Sequence, residues 1–163
     1  MSNLNGKAAE VLMAKVLGEL GISVKCPVST DRILAATKGD KRGAKHYASA
    51  KYHVVEDFGS LNVSADLLAD RMLGSDGFFE ANDGTVMSYD VTVNTKGDTV
   101  SKKLGVQRTV KGARSTLGLN GHVLVVLQSS TPYTKLTYDQ KWSIVDSLLE
   151  AAEDNEDVVY INV

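Results

Sequence analysis

The sequence predicts a single α/β domain with a mixed central sheet flanked by helices. Three observations predict it. Residues 75–96 read as a β-hairpin, with two-residue alternation on either side of a turn signal. His122–Gln128 is a nearly continuous apolar run, the pattern of a strand buried on both faces, and is expected at the centre of the sheet. Helical periodicity precedes and follows these strands, over the first twenty residues and again over 138–152. At 163 residues the chain has the length of one domain and can bury most of its apolar surface unaided. It contains no repeat, low-complexity segment or interdomain linker.

In chain order, Asn5 or Ser2 can cap a first helix reaching to about residue 20. Its apolar residues Ala9, Leu12, Met13, Val16, Leu17 and Leu20 recur at three- and four-residue steps, and Gly21 ends it. Glu10 lies one position from that stripe, either as a flank residue or as an acid turned toward the sheet. Residues 22–28 suit a short strand, which Pro27 pushes to an edge. Residues 31–36 could start a helical turn, but 37–46 is polar and broken by glycines and reads as a mobile, basic loop. The stretch 29–60 is therefore expected to be an irregular basic insert carrying Lys41, Arg42, Lys45 and Lys51. Tyr47 and Tyr52 interleave with its Lys and His residues, which suits either stacking on a single nucleic-acid strand or packing back on the domain. A short extended piece at 61–63 precedes a helix over 65–73, capped by Ser64, with Asp66 in its first turn and Gly74 as its stop.

In the hairpin, Met87, Tyr89, Val91 and Val93 fall on one face and Ser88, Asp90, Thr92 and Asn94 on the other. The turn at Asn82-Asp83-Gly84 decides what the acids do. A two-residue loop sets Asp76 across from Val91; a three-residue loop with Gly84 in the left-handed region sets it across from Asp90. Only the second makes a carboxylate pair, which a divalent cation between the strands would relieve. The other reading leaves Asp76 opening the hairpin and Asp90 on a solvated face.

A helix is expected from Thr99 or Ser101 to about 117, weakened by Gly105 and Gly112. Lys103 and Gln107 lie one turn apart on it, with Lys111 and Arg114 continuing nearby. His122, with no second His close in sequence, reads as a satisfied strand-end residue. Thr137 caps the last helix, over 138–152, with Trp142, Val145, Leu148, Leu149 and Ala152 inward, and 158–163 forms a terminal strand.

Charge is unevenly distributed. Residues 1–116 carry 16 Lys/Arg against 13 Asp/Glu, and 117–163 carry 2 against 7. Lys96, Lys102, Lys103, Arg108, Lys111 and Arg114 face only Asp98 between 95 and 116, a local excess that could follow a phosphate backbone. The lone Cys26 excludes an intrachain disulfide and a cysteine-built zinc site. The chain opens without signal-peptide features and holds no run of apolar residues long enough to span a bilayer, so a soluble cytoplasmic protein with no membrane partner is expected. No Ser-His-Asp spacing, phosphate-binding glycine loop or dinucleotide fingerprint points to a serine hydrolase, kinase or dehydrogenase.

This order of elements, with its acids, resembles the PD-(D/E)XK superfamily of metal-dependent nucleases, which includes many restriction enzymes, Holliday-junction resolvases and some homing endonucleases. The resemblance implies a restriction-endonuclease-like core in which Asp76 is the first acid, Asp90 the acid of the acid-x-lysine triplet and Glu10 the first-helix glutamate. Together these would hold Mg²⁺ or Mn²⁺, while Gln107, with Lys103, would occupy the place on the following helix. Ser75 stands where the family often has proline. Thr92 stands where the triplet ends in lysine, and threonine cannot supply that charge. Lys96 lies about 13 Å further along an extended strand, which makes Lys103 the better substitute. The implied function is that of a metal-dependent phosphodiesterase on nucleic acid, a DNA endonuclease, with Lys96, Lys102, Lys103 and Arg108 on flanking phosphates. Cutting both strands of a duplex would favour a homodimer. The alternatives are a nucleic-acid-binding or inhibitory protein without catalysis, and an assembly subunit whose terminal strand pairs with another chain.

Overall fold

The computed structural model describes residues 5–93 and 95–163. Ser2, an alternative first cap, and Asn94, assigned to the polar strand face, lie outside the described residues. The fold is a five-stranded mixed sheet, β1 (Ser23–Val24), β2 (Gly77–Glu80), β3 (Val86–Thr92), β4 (His122–Gln128) and β5 (Val158–Asn162), in the spatial order of the sequence. β2 pairs antiparallel with both β1 and β3, while β3, β4 and β5 run parallel. The helices are α1 (Gly6–Glu19), α2 (Thr30–Gly39), α3 (Ala44–Phe58), α4 (Ala65–Leu73), α5 (Gly97–Leu117) and α6 (Tyr138–Glu153).

Strand alternation sorts the core into two layers. Phe79, Tyr89, Val91, Val123, Val125 and Leu127 pack on one face against α1 and α6 through Leu12, Met13, Val16, Ile144 and Leu148. The opposite face carries α2 to α5. There Phe78 joins Ile33, Val54, Leu68, Met72 and Val110, while Leu124 and Val126 meet Val100. β4 is buried on both faces as its apolar run predicts, but β3 holds the middle of the sheet and β4 lies beside it.

Caps act where the side chains predict. Asn5 accepts from the Ala8 amide and starts α1, Ser64 accepts from Leu67 and starts α4, and Gly74 ends α4 with φ +63°. Thr137 and Gln140 form a reciprocal capping box on α6. Three expectations need correction. The insert at 29–60 is ordered helix, with Ser29 capping α2 and a short 3-10 turn at Lys41–Gly43 leading into α3. Beside Ile33 and Val54, its inward stripes use small and ambivalent residues, Ala36 and Thr37 in α2, Tyr47 and Ala50 in α3, so their periodicity is faint. The first strand is only two residues long, and 61–63 forms no strand. Among the described residues no helix is long and apolar enough to cross a membrane.

Candidate active site

The hairpin adopts the three-residue loop. Gly77 pairs with Tyr89 and Glu80 with Val86, the Ala81 amide donates to the Thr85 carbonyl, and Gly84 takes φ +85°. Continuing that register sets Asp76 across from Asp90. Its amide donates to the Tyr89 carbonyl at 2.8 Å, and its Oδ2 accepts from the Val91 amide at 2.7 Å. Asp76 is thus held by backbone on both sides of the residue it faces. Gly77 is required beside it, since a Cβ there would lie 2.6 Å from the Tyr89 hydroxyl.

Asp90 does not face solvent. The polar stripe Ser88, Asp90 and Thr92 is buried beneath α5, with Asp90 only 6% exposed. One Asp90 oxygen accepts from His122 Nε2 at 2.9 Å, and the other lies 3.7 Å from Lys103 Nζ. Lys103 thus brings a cation from α5 to the Asp90 carboxylate.

Behind Asp90 lies a buried polar network. Arg114 donates to Ser88 Oγ and Ser75 Oγ, each at 2.6 Å, and to the Leu73 carbonyl at 2.9 Å. His122 Nε2–H points at Asp90, so its Nδ1 is an acceptor, reached by Ser88 Oγ at 2.7 Å and Arg114 at 3.1 Å. Burial lowers the His122 pKa below the ordinary histidine value, and the Arg114 charge lowers it further against the pull of Asp90. His122 is therefore neutral at pH 7, and its contact with Asp90 is a hydrogen bond rather than an ion pair. Burial also lowers Arg114, to about 10, which leaves it charged near neutrality. Ser88, His122 and Asp90 follow the order of a serine hydrolase relay. Ser88, however, is 1% exposed and its oxygen already accepts from Arg114, so the arrangement offers no nucleophile.

Asp76 is pushed up to about 7. Burial is the largest cause, the Val91 amide opposes it, and the negative fields of Glu10, Asp70 and Asp90 add to it. Glu10 is half-buried on α1 and pairs with Lys7 at 3.7 Å; burial raises the Tyr89 pKa, and the charges of Asp76 and Glu10 add to it. Among the described residues no group of three or more His, Cys, Asp or Glu side chains is placed to hold a metal ion. The three acids Asp76, Asp90 and Glu10 are therefore not brought together as the expected ligand set, and Glu10 acts on Asp76 through its charge.

The other expected site residues are dispersed. Gln107 turns away from the acids, its Nε2 donating to the Leu73 and Gly74 carbonyls at 3.2 Å, where it ties down the C-terminal end of α4. Lys102, Arg108 and Lys111 are exposed along α5, and Lys96 is exposed at its N-terminal cap. Lys41, Arg42 and Lys45 are exposed and Lys51 half-buried around the start of α3. Asp40 ties that region to α5, accepting from the Ala113 amide at 3.2 Å and from the Tyr47 hydroxyl at 2.6 Å. Tyr47 is thus part of the core, whereas Tyr52 is 65% exposed. Arg114, expected on phosphate, is buried, because it falls on the apolar stripe Val110, Ala113, Leu117 of α5. That spacing was the sequence signal for its burial. Nothing comparable marked Ser75, Ser88 or Asp70, whose roles depend on register and helix docking. Comparison with models of known families, with characterised proteins and with solved structures finds no match.

Proposed function

We propose that this chain is a metal-dependent phosphodiesterase acting on nucleic acid, an endonuclease with DNA as its substrate class. The observation that carries the proposal is Lys103 Nζ, 3.7 Å from the Asp90 carboxylate, which supplies on α5 the cation that Thr92 lacks. A hydrated divalent ion is the group that Asp76 and Asp90 would hold. Mg²⁺ takes one or two carboxylates and keeps several waters, and the hairpin register, continued one residue past Gly77 and Tyr89, sets Asp76 across from Asp90, while burial and like charges raise Asp76. A Mg²⁺ or Mn²⁺ ion held by this pair would act as a Lewis acid toward the scissile phosphate.

The chain's own groups would do the rest. Lys103 offsets negative charge developing on the phosphate. His122 fixes the orientation of Asp90 through one oxygen, and Arg114 fixes His122. Lys102, Arg108 and Lys111 hold flanking phosphates along the exposed side of α5. Cleavage of both strands would require two copies of the site, hence a homodimer on duplex substrate.

One observation favours a second reading, a nucleic-acid-binding protein without cleavage: His122 and Lys103 already engage both Asp90 oxygens. Incubation with plasmid and branched DNA, with and without Mg²⁺ or Mn²⁺, separates the two. Metal-dependent cutting lost in Asp90→Ala and in the isosteric Asp90→Asn supports the nuclease. Salt-sensitive binding without cutting supports the binder, and neither activity rejects both.

A further inference from the structure

A cavity of about 380 Å³ opens beside the acids, at the N-terminal end of β4. His122 lines it while bonding to Asp90, so cavity and acid pair share a side chain. Arg108 and Lys111 of α5 contribute one side of the lining, and Glu156 and Asp157, from the turn between α6 and β5, contribute acids. Met87 and Leu104 add apolar surface. The volume falls in the range of small-molecule sites, about 300–1,000 Å³.

The charges decide the class of ligand. A compact polyanion would meet Glu156 and Asp157, and a cation would meet Arg108 and Lys111 with Arg114 behind them. A molecule that is anionic at one end, and flat with amino hydrogens at the other, suits the whole lining. A nucleotide with an exocyclic amine has that form: its phosphate pairs with Arg108 and Lys111, its amine donates to a carboxylate, and its ring lies on Met87 and Leu104. Lys111 lies about 12 Å along α5 from Lys103, so a strand following the helix would bring a neighbouring nucleotide, not the scissile one, to the cavity.

We propose that this cavity receives one unpaired, amino-bearing nucleotide of the substrate strand, adjacent to the phosphate held at Asp76 and Asp90. The proposal rests on the nucleic-acid reading above and narrows it. A base seated in a cavity cannot be paired, so the substrate is single-stranded, branched or locally opened at that position.

Calorimetric titration of the full chain with CMP, AMP, GMP, UMP and inorganic phosphate, without metal, tests it. The three amino-bearing nucleotides are expected to bind about ten-fold more tightly than UMP or phosphate. Arg108→Ala/Lys111→Ala is expected to weaken all of them about ten-fold, and Glu156→Ala/Asp157→Ala to remove the preference over UMP. All four residues are exposed, so these variants are expected to fold. Binding no tighter than that of phosphate, or unchanged in both double variants, overturns the proposal. DNA cleavage without nucleotide binding overturns the cavity assignment alone. Nucleotide binding without cleavage, retained in Asp76→Asn, upholds the cavity and rejects the nuclease.

Discussion

Lys103 Nζ stands 3.7 Å from the Asp90 carboxylate, joining α5 to β3. Lys103 is partly exposed and Asp90 is buried, so the pair has its cation on the solvent side, where a phosphate would arrive. If that cation serves chemistry, Lys103→Ala lowers single-turnover cleavage about 10²-fold or more, the scale of one lost transition-state charge contact. Binding to the same DNA falls only a few-fold, as expected for one of several phosphate contacts. Equal losses in cleavage and binding would reduce Lys103 to a phosphate contact.

Asp76 gives a stability test that needs no substrate. Its pKa rises from an ordinary 3.8 to about 7 on folding, so the native state holds a proton that the unfolded state releases between those values. Native stability therefore falls as pH rises from about 4 to 7, by at most roughly 4 kcal/mol from this group. Asp76→Asn keeps an acceptor for the Val91 amide and removes the charge. Its melting temperature is expected to exceed the wild-type value by several degrees at pH 8, with a smaller gap at pH 4.5. Added Mg²⁺ should stabilise the wild type at pH 8 and leave the variant unmoved. A gap independent of pH would contradict the raised pKa.

The hairpin was the most legible part of the chain, because alternation and the Asn82-Asp83-Gly84 turn act locally. Even so, one residue of register separated a carboxylate pair from none, and sequence left both open. Gly84, at φ +85°, decides it. The polar face of β3 was the least legible part of the site. Ser88, Asp90 and Thr92 alternate like a solvated stripe but are buried, and Arg114 and His122 provide the hydrogen bonds that make the burial of Ser88 and Asp90 tolerable. Long-range docking of that kind leaves no periodic trace. α2, read only as a helical turn over 31–36, and α3 escaped for a different reason: Gly39 and Gly43 break the polar run 37–46 where two helices meet, and beside Ile33 and Val54 the buried stripes consist of alanine, threonine and tyrosine.

The basic residues of α5 divide by burial, and mutation should divide them the same way. Arg114→Ala leaves Asp90 short of a neighbouring cation and removes the donors of Ser75, Ser88 and the Leu73 carbonyl. A cost of about 3–5 kcal/mol is expected in denaturant unfolding. Arg108→Ala and Lys111→Ala should each change stability by about 0.5 kcal/mol or less. In DNA binding the order reverses, with each exposed cation lowering the salt-dependence slope by roughly one. Arg114→Ala as stable as wild type would show that the buried network is dispensable.

His122 makes the opposite pH prediction to Asp76. Burial lowers its folded pKa, so acidification through the ordinary value of 6.5 protonates the unfolded chain first. Stability associated with neutral His122 is present above 6.5 and is lost as pH falls toward the lower folded value. A proton on Nδ1 would also displace the bonds from Ser88 and Arg114 and set a second cation beside the guanidinium. His122→Asn should flatten the acid side of the stability profile below pH 6.5 and leave the Asp76 slope between 4 and 7 in place. In a proton-detected titration, the His122 ring is expected to change state below the ordinary histidine value of 6.5. Titration of the His122 ring at or above 6.5 would mean that it is solvated and that Asp90 is not held by a neutral imidazole.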